Sequence, residues 1–350
     1  MTMTARDRLE AFWAGERPDR CPYTVYKYLL NVAGVLDDPA LAKLVDKGLI
    51  VTESLSPFDI EWPGVEMGVD DYEENGEQMR RETWKTEVGS ITQTFANGWH
   101  SKYWLETAED YKVLTWIMEH AKVVSNLDHC SGMIAKMGEH ELPTISCGRT
   151  PLQKILVDYA GLEAFAFHLI DMEPEVRELY AAILGMFEKR VELAARAPAT
   201  YVGIGENFTS ESLGPARYEE FILPVYEKYV PQLHAAGKVV GVHYDGRTSC
   251  CADQIGRAPF DLLESFTEPP EGDMLCDEAR AAWPEKLFWS NIQVSDYQLP
   301  PDKLRTRVLD LWEKGAVSGR QLAFEVSEDL PSNWDESMGT VLDALAETEA

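Results

Sequence analysis

The sequence lacks a long apolar run and a leader-like segment. Across its 350 residues, no stretch approaches the roughly 20 consecutive apolar residues that a membrane-spanning helix needs. The opening segment, MTMTARDRLEAFWAGERPDR, is charged and amphipathic, whereas a signal peptide needs an uninterrupted apolar stretch. These absences predict a soluble, cytoplasmic protein that does not act at a membrane.

Positive charge is also scarce. The chain has 32 Lys and Arg against 60 Asp and Glu, which gives a formal net charge of −28 at pH 7. Such a field repels nucleic acid and anionic lipid, so nucleic-acid binding is excluded as a function. It also disfavours polyanionic small molecules unless a local basic pocket overrides it. High solubility explains the acidity without any specific partner.

Several catalytic and structural motifs are missing. The six cysteines have no regular spacing and no CxxC, so they predict reduced thiols instead of a disulfide framework. No GxSxG, P-loop or HExxH motif occurs, which leaves no basis for a serine hydrolase, a nucleotide hydrolase or a zincin.

What is present is an alternation of short apolar segments with longer amphipathic ones. Apolar runs typical of strands buried on both faces occur at 21–26, 144–147, 200–205, 238–244, 261–266, 286–292 and 321–326. Helical spacing occurs over 173–197 and 214–237, with Pro224 and Pro231 expected to bend or interrupt the second helix. This alternation predicts the α/β class and a (β/α)8 TIM-type barrel.

Residues 60–105 follow a different pattern. The segment EQMRRETWKTEVGSITQTF alternates polar and apolar residues around a glycine turn at Gly89. This pattern predicts an antiparallel β-hairpin inserted near the N-terminus of the barrel. Because no repeat, low-complexity segment or linker divides the chain, residues 1–350 are expected to form a single domain.

Hard oxygen and imidazole donors follow three of the predicted strands. They are Glu206, Asn207 and Glu211 in GENFTSE, His243 and Asp245 in HYDG, and Glu325, Glu328 and Asp329 in FEVSEDLP. The carboxyl ends of barrel strands carry the active site, so these side chains are expected to converge. One histidine with two or three carboxylates predicts a zinc site with an open position, or a manganese or iron site.

Each of these residues also has an alternative explanation that involves no metal. A histidine at a strand end is often a hydrogen-bonded core residue or a substrate contact. Asp245 precedes Gly246, a pairing typical of a turn in which the carboxylate binds its own backbone. Glu220 lies in an amphipathic helix, where a solvated face explains it.

Three stretches together resemble the uroporphyrinogen decarboxylase superfamily. They are TARDRLEAFWAGERPDRCPY, GRTPLQKILVDYAGLEAFAFHLIDMEPEVRELY and GENFTSESLGPARYEEFILPVYEKYVPQLHAAGKVVGVHYDG. They are more narrowly similar to its cobalamin-dependent methyltransferase and O-demethylase branch. The resemblance implies a (β/α)8 barrel and one of two chemistries. The decarboxylase binds a carboxylate-rich porphyrinogen through a basic N-terminal motif, but the corresponding KYLLNVAGVLDDPAL offers Lys27 and no arginine.

The methyltransferase branch implies zinc at the barrel mouth and a separate corrinoid-binding partner protein, since the chain lacks DxHxxG. The best-known members bind zinc through His-x-Cys-Gly and a later cysteine. In this sequence the first motif is replaced by His243-Tyr244-Asp245-Gly246, and the later cysteine is replaced by the acidic SED around Glu328. The resemblance therefore implies hard oxygen ligands for the metal, as in O-demethylases of methoxylated aromatics. The O-demethylase pattern implies Glu206, Glu220 and His243 as metal ligands, and the strand-end donors Asp245 and Glu328 are further candidates. Tyr244, Asn207 or Tyr23 would donate a hydrogen bond to the oxygen atom that leaves with the demethylated substrate.

We therefore expect a zinc-dependent methyltransferase that moves a methyl group between a small substrate and the cobalt of a partner corrinoid protein. One alternative is a metal-free decarboxylase of a carboxylated pyrrole, with Asp245 or Glu206 stabilising the protonated ring. Another is a barrel that only binds a small ligand. The sequence leaves open the methyl donor, the direction of transfer and whether the chain forms a homodimer.

Overall fold

The computed structural model describes residues 3–32 and 34–348. The strands are β1 (Tyr23–Tyr26), β2 (Ile50–Leu55), β3 (Phe58–Glu61), β4 (Glu66–Glu74), β5 (Glu77–Thr86), β6 (Gly89–Ala96), β7 (Trp99–Lys102), β8 (Lys122–Ser125), β9 (Glu141–Ser146), β10 (Tyr201–Ile204), β11 (Val239–His243), β12 (Leu262–Phe266), β13 (Leu287–Asn291) and β14 (Leu322–Val326).

The α-helices are α1 (Ala5–Trp13), α2 (Lys27–Leu30), α3 (Pro39–Asp46), α4 (Ala108–His120), α5 (Leu127–Ile134), α6 (Pro151–Lys154), α7 (Leu162–Asp171), α8 (Glu173–Arg196), α9 (Ser210–Arg217), α10 (Leu223–Ala235), α11 (Ala252–Arg257), α12 (Cys276–Ala282), α13 (Pro301–Gly315) and α14 (Trp334–Ala346). Residues 3–32 and 34–348 also form two π-helical segments (Ile155–Ala160 and Tyr218–Ile222) and two 3₁₀ turns (Ser249–Cys251 and Asp296–Gln298). Among the described residues, no helix combines the length and apolarity needed to cross a membrane.

Eight parallel strands close into a barrel in the order β1-β14-β13-β12-β11-β10-β9-β2. Because consecutive strands pair in parallel, the chain crosses back between them through helices. The structure therefore confirms the α/β class and the (β/α)8 barrel. Seven of these strands coincide with the apolar segments predicted from sequence, and β2 is the eighth, which the sequence pattern does not identify.

The chain forms two compact units. One comprises the described residues up to Pro57, Leu127–Cys147 and the residues from Ala194 onward, and it contains all eight barrel strands. The other comprises Phe58–Asn126 and Gly148–Leu193.

The second unit contains the predicted antiparallel insertion. The expected hairpin is the β5–β6 pair, in which Thr86 lies opposite Gly89. It is only part of a four-stranded antiparallel sheet in the order β4-β5-β6-β7, and β3 and β8 form a separate two-stranded sheet. The sequence pattern does not reveal β4 because this strand, EMGVDDYEE, is acidic and exposed along nearly its whole length.

Helix α1 fills the amino-terminal end of the barrel. Its residues Phe12 and Trp13 are buried among the first residues of several strands. The Trp13 ring stacks on Tyr201 at a centroid distance of 5.3 Å, and it meets Trp289 edge-on at 5.9 Å. This aromatic packing stabilises the amino-terminal end and leaves the carboxyl ends of the strands to carry polar side chains.

The predicted interruption of the 214–237 helix occurs before Pro224. The π-helical segment Tyr218–Ile222 separates α9 from α10, and Pro224 lies in the first turn of α10, where no intrahelical N–H donor is needed. Pro231 lies inside α10, which continues to Ala235.

Candidate metal centre

Three potential metal ligands meet at the carboxyl-terminal end of the barrel. His243 is the last residue of β11, Asp245 lies two residues beyond it, and Glu328 lies two residues beyond the end of β14. The Nε2 atom of His243 is 3.7 Å from Asp245 Oδ2 and 3.7 Å from Glu328 Oε1. One ligand atom from each residue lies within 4.8 Å of the others.

This separation fits a zinc ion. Two donors on one tetrahedral zinc are about 3.4 Å apart, given zinc–ligand distances of about 2.0–2.2 Å. The three side chains offer one nitrogen and two carboxylate oxygens, a set that leaves a fourth position for a substrate, as in catalytic zinc sites. His243, Asp245 and Glu328 are therefore the residues that would hold the metal.

The imidazole of His243 is held from behind by a buried carboxylate. Glu264 in β12 places its Oε2 atom 2.6 Å from His243 Nδ1. The two side chains are 7% and 15% exposed, so little water competes with the bond. When Nδ1 donates to this carboxylate, Nε2 presents its lone pair towards Asp245 and Glu328. Metal-binding histidines are commonly oriented by such a carboxylate.

Glu264 is not among the site residues predicted from the sequence. A signal is present in the sequence, because Glu264 is the only charged residue within the mostly apolar strand Leu262–Phe266. A lone charge in a strand buried on both faces needs a partner, and that partner is the imidazole of His243.

A β-bulge at Ser265 links Glu264 to β14. Ser265 has a left-handed backbone with φ of 62°, and the register between β12 and β13 shifts there. Its N–H donates to Glu325 Oε1 at 2.8 Å, and its hydroxyl donates to Glu328 Oε1 at 2.9 Å. A non-glycine residue in this conformation is strained, and such strain is often found where a side chain must be aimed at a site.

The acids around His243 differ in their electrostatics. Burial, followed by the charge of Glu328, raises the pKa of Glu264 to about 8. Burial, followed by the charge of Glu264, raises the pKa of Glu325 well above its usual range. Burial also acts to raise the pKa of Asp245, but the interactions with His243 and Asn207 outweigh it and leave that pKa lowered. The interactions of Asp245 therefore favour its charged form, whereas the surroundings of Glu325 favour its neutral form.

Asn207 lies beside the centre, whereas Glu206 and Tyr244 lie in a different network. The Asn207 amide donates to Asp245 Oδ2 at 3.1 Å. The hydroxyl of Tyr226 donates to Glu206 Oε1 at 2.6 Å and lies 3.0 Å from the hydroxyl of Tyr244. Tyr244 also lies 3.0 Å from the hydroxyl of Tyr218, and all of these groups are buried. The structure thus places Glu206 outside the three-ligand group and the Tyr244 hydroxyl within a tyrosine cluster.

Two further candidates from the sequence also lie outside the three-ligand group. Glu220 is exposed in the π-helical segment Tyr218–Ile222. The hydroxyl of Tyr23 is buried against that of Tyr297 at 2.8 Å. Neither belongs to the set of converging donors formed by His243, Asp245 and Glu328.

An open cavity of about 550 Å³ follows the ends of β1 and β2, and Tyr28 lines it. The rings of Tyr26 and Tyr28 stack at 5.4 Å, and the Tyr28 hydroxyl donates to the carbonyl of Ser327, next to Glu328. Lys27 also lines this cavity, but its ammonium is 2.8 Å from a carboxylate oxygen of Glu53 and 2.8 Å from one of Glu141. The cavity therefore offers one aromatic ring, that of Tyr28, and a cation that is already paired with two carboxylates.

Neither the known protein-family models nor the sequences of curated proteins match this chain. Among solved structures, a methyltransferase from Methanosarcina mazei aligns with a TM-score of 0.60 at 14% identity, over 99% of this chain and 100% of that one. The likeness is one of fold. A B12-independent methionine synthase from Shewanella sp. W3-18-1 aligns with a TM-score of 0.40 at 12% identity, over 88% of this chain and 85% of that one. Membership in the uroporphyrinogen decarboxylase superfamily stays a prediction.

Proposed function

We propose that this protein is a zinc-dependent methyltransferase that moves a methyl group between a small methoxylated aromatic compound and the cobalt of a separate corrinoid protein. The observation that carries the proposal is the convergence of His243, Asp245 and Glu328 at the barrel mouth, with Glu264 holding the imidazole. The fold shared with a methyltransferase over almost the whole chain supports the same reaction class.

Zinc bound there would act as a Lewis acid that polarises the ether oxygen of the substrate. The hard donor set suits an oxygen ligand better than a thiol. In the reaction, the bond between the ether oxygen and the methyl carbon breaks, and the oxygen keeps the electron pair. The methyl carbon forms its new bond to the reduced cobalt of the partner protein.

The chain's own residues orient this chemistry. Glu264 fixes the ring of His243, and Asn207 fixes the carboxylate of Asp245. The stacked rings of Tyr26 and Tyr28 offer an aromatic surface near Glu328 against which a substrate ring can pack.

The decarboxylase alternative lacks a basic pocket. Lys27 was the one cation in the stretch that corresponds to the decarboxylase's basic motif, and Glu53 and Glu141 already neutralise it. A carboxylate-rich porphyrinogen would thus meet an acidic mouth on a chain of net charge −28. Release of CO2 from uroporphyrinogen by the purified protein would restore this alternative.

The test combines metal analysis with a methyl-transfer assay. Purified protein should contain zinc and should convert cob(I)alamin to methylcobalamin in the presence of 2-methoxyphenol, followed by absorbance. His243→Ala should lose zinc and slow the transfer by about 100-fold or more. The control is His234→Ala, since His234 lies on α10 and bonds to Asp261. Zinc-free wild-type protein together with a fully active His243→Ala variant would refute the proposal.

A further inference from the structure

Two buried polar atoms at the ends of neighbouring strands lack a partner among the described residues. They are the amide nitrogen Nδ2 of Asn291, in β13, and the carboxyl oxygen Oε2 of Glu325, in β14. Asn291 is 4% exposed and Glu325 is 0% exposed. An unpartnered buried polar atom is costly, by about 1–3 kcal/mol, so such atoms commonly mark a place where a ligand or water binds.

The two side chains face the same space. Asn291 and Glu325 are register partners on adjacent parallel strands. Each lies two residues after an inward-facing core residue, Trp289 in β13 and Ala323 in β14. Since side chains alternate along a strand, both point into the barrel at its carboxyl-terminal end.

This pair lies beside the candidate metal centre. The other carboxyl oxygen of Glu325 accepts from the N–H of Ser265, and the hydroxyl of Ser265 donates to Glu328. The bond from Ser265 fixes the orientation of the Glu325 carboxyl group. The unpartnered oxygen is therefore a fixed feature of the site.

We propose that Asn291 and Glu325 form a subsite that binds a hydroxyl group of the substrate, an inference that rests on the proposed function. Adjacent strands are about 4.8 Å apart, so one oxygen atom can lie within hydrogen-bonding distance of both side chains. A hydroxyl has one donor and two acceptor positions, so it accepts from the Asn291 amide and pairs with the Glu325 oxygen. A carboxylate in the same place would be repelled by the surrounding acids. The substrate class is thus a methoxylated aromatic that also carries a free hydroxyl.

The first test needs no mutation. Zinc-loaded protein is titrated with 2-methoxyphenol and with 1,2-dimethoxybenzene, which differ only in that a methyl group caps the hydroxyl, and binding is measured by calorimetry. The phenol should bind about tenfold more tightly, which corresponds to about 1.4 kcal/mol for the buried hydrogen bonds. Equal binding of the two probes would overturn the subsite.

The second test uses a matched pair of buried amides. Asn291→Leu should reduce the ratio of the two affinities to about one. Gln293 is the control, because it is also buried but donates to the carbonyls of Glu268 and Pro269. Gln293→Leu should lower the melting temperature and keep the preference for the phenol, whereas Asn291→Leu should leave the melting temperature of the ligand-free protein unchanged or raised.

A melting temperature that falls as far in Asn291→Leu as in Gln293→Leu, with an unchanged affinity ratio, would show that the amide binds only ordered water. That result would overturn the subsite. Zinc content and methyl transfer are measured on the same samples. If wild-type protein contains zinc and transfers methyl groups but binds the two probes equally, the subsite alone is refuted. A hydroxyl preference without methyl transfer refutes the proposed function alone.

Discussion

Replacement of Glu264 tests whether the buried acid behind His243 orients a metal ligand. Glu264→Gln keeps the size of the side chain, and its amide oxygen can still accept from Nδ1 of His243. Glutamine cannot carry the negative charge that Glu264 gains when a bound cation favours its ionised form, so the 2.6 Å bond becomes a weaker neutral one. Glu264→Leu removes the acceptor altogether and leaves the imidazole free to rotate.

Loss of a partner that orients a metal-binding histidine typically weakens metal affinity by about 10–100-fold. We expect Glu264→Gln to lie near tenfold, because only the charge is lost, and Glu264→Leu near 100-fold. These factors correspond to about 1.4 and 2.7 kcal/mol of zinc-binding free energy. The low exposure of both partners, 7% and 15%, supports a full effect because solvent screens the bond weakly.

Zinc affinity is measured by competition with a chromophoric chelator, and stoichiometry by elemental analysis. The control is Glu268→Gln. Glu268 is buried like Glu264, but it accepts from the N–H of Cys276 and pairs with Arg307, away from His243. This control should keep its zinc affinity even where its stability falls.

The opposite outcome has its own physical cause. Glu264 lies close enough to Glu328 for the charge of each to matter to the other. If relief of that repulsion outweighed the loss of orientation, Glu264→Gln would bind zinc as tightly as the wild type or more tightly. Such a result would refute the role of Glu264 as the residue that orients His243.

Two further predictions concern stability. The metal-free protein should lose thermal stability as the pH rises from about 5 to about 8. The reason is that folded Glu264, whose pKa is raised to about 8, holds a proton that the unfolded chain has already released. The melting temperature of Glu264→Gln should therefore depend less on pH over this range. Tyr226→Phe should lower the free energy of unfolding, measured by urea titration, by about 2 kcal/mol, because buried Glu206 loses the hydroxyl donor 2.6 Å away. A variant as stable as the wild type would contradict a structural role for the tyrosine cluster.

The sequence predicts the barrel well because most of its strands are buried on both faces. Strands such as Leu262–Phe266 and Leu322–Val326 are buried at every position, and burial on both faces produces the mostly apolar runs that the sequence shows there. The exception is β2, IVTESL, in which Thr52, Glu53 and Ser54 interrupt the apolar residues. Thr52, Glu53 and Ser54 all line the cavity. These polar residues are the ones that interrupt the apolar pattern by which a buried strand is recognised.

The candidate site was only partly predictable, since strand ends are visible in a sequence but side-chain directions beyond them are not. His243, Asp245 and Glu328 were expected to converge, and the structure brings their donor atoms together. Glu206 follows β10 in the same way. The chain turns there, however, and the carboxylate accepts from Tyr226 on α10, a residue 20 positions away in sequence. No local pattern reveals such a long-range partner.

The crowding of acids around one histidine limits the chemistry of the centre. Asp245 and Glu328 as ligands would already balance the charge of a divalent cation. Every additional ionised acid would weaken the Lewis acidity of that cation towards an ether oxygen. Glu325 adds less to this cost because burial, followed by the charge of Glu264, raises its pKa well above the usual range and favours its neutral form. A nearly neutral centre with hard ligands suits a neutral oxygen donor. On a chain of net charge −28, a centre whose own charge is balanced adds no attraction for a carboxylate, so the proposed function favours a methoxylated phenol over a porphyrinogen.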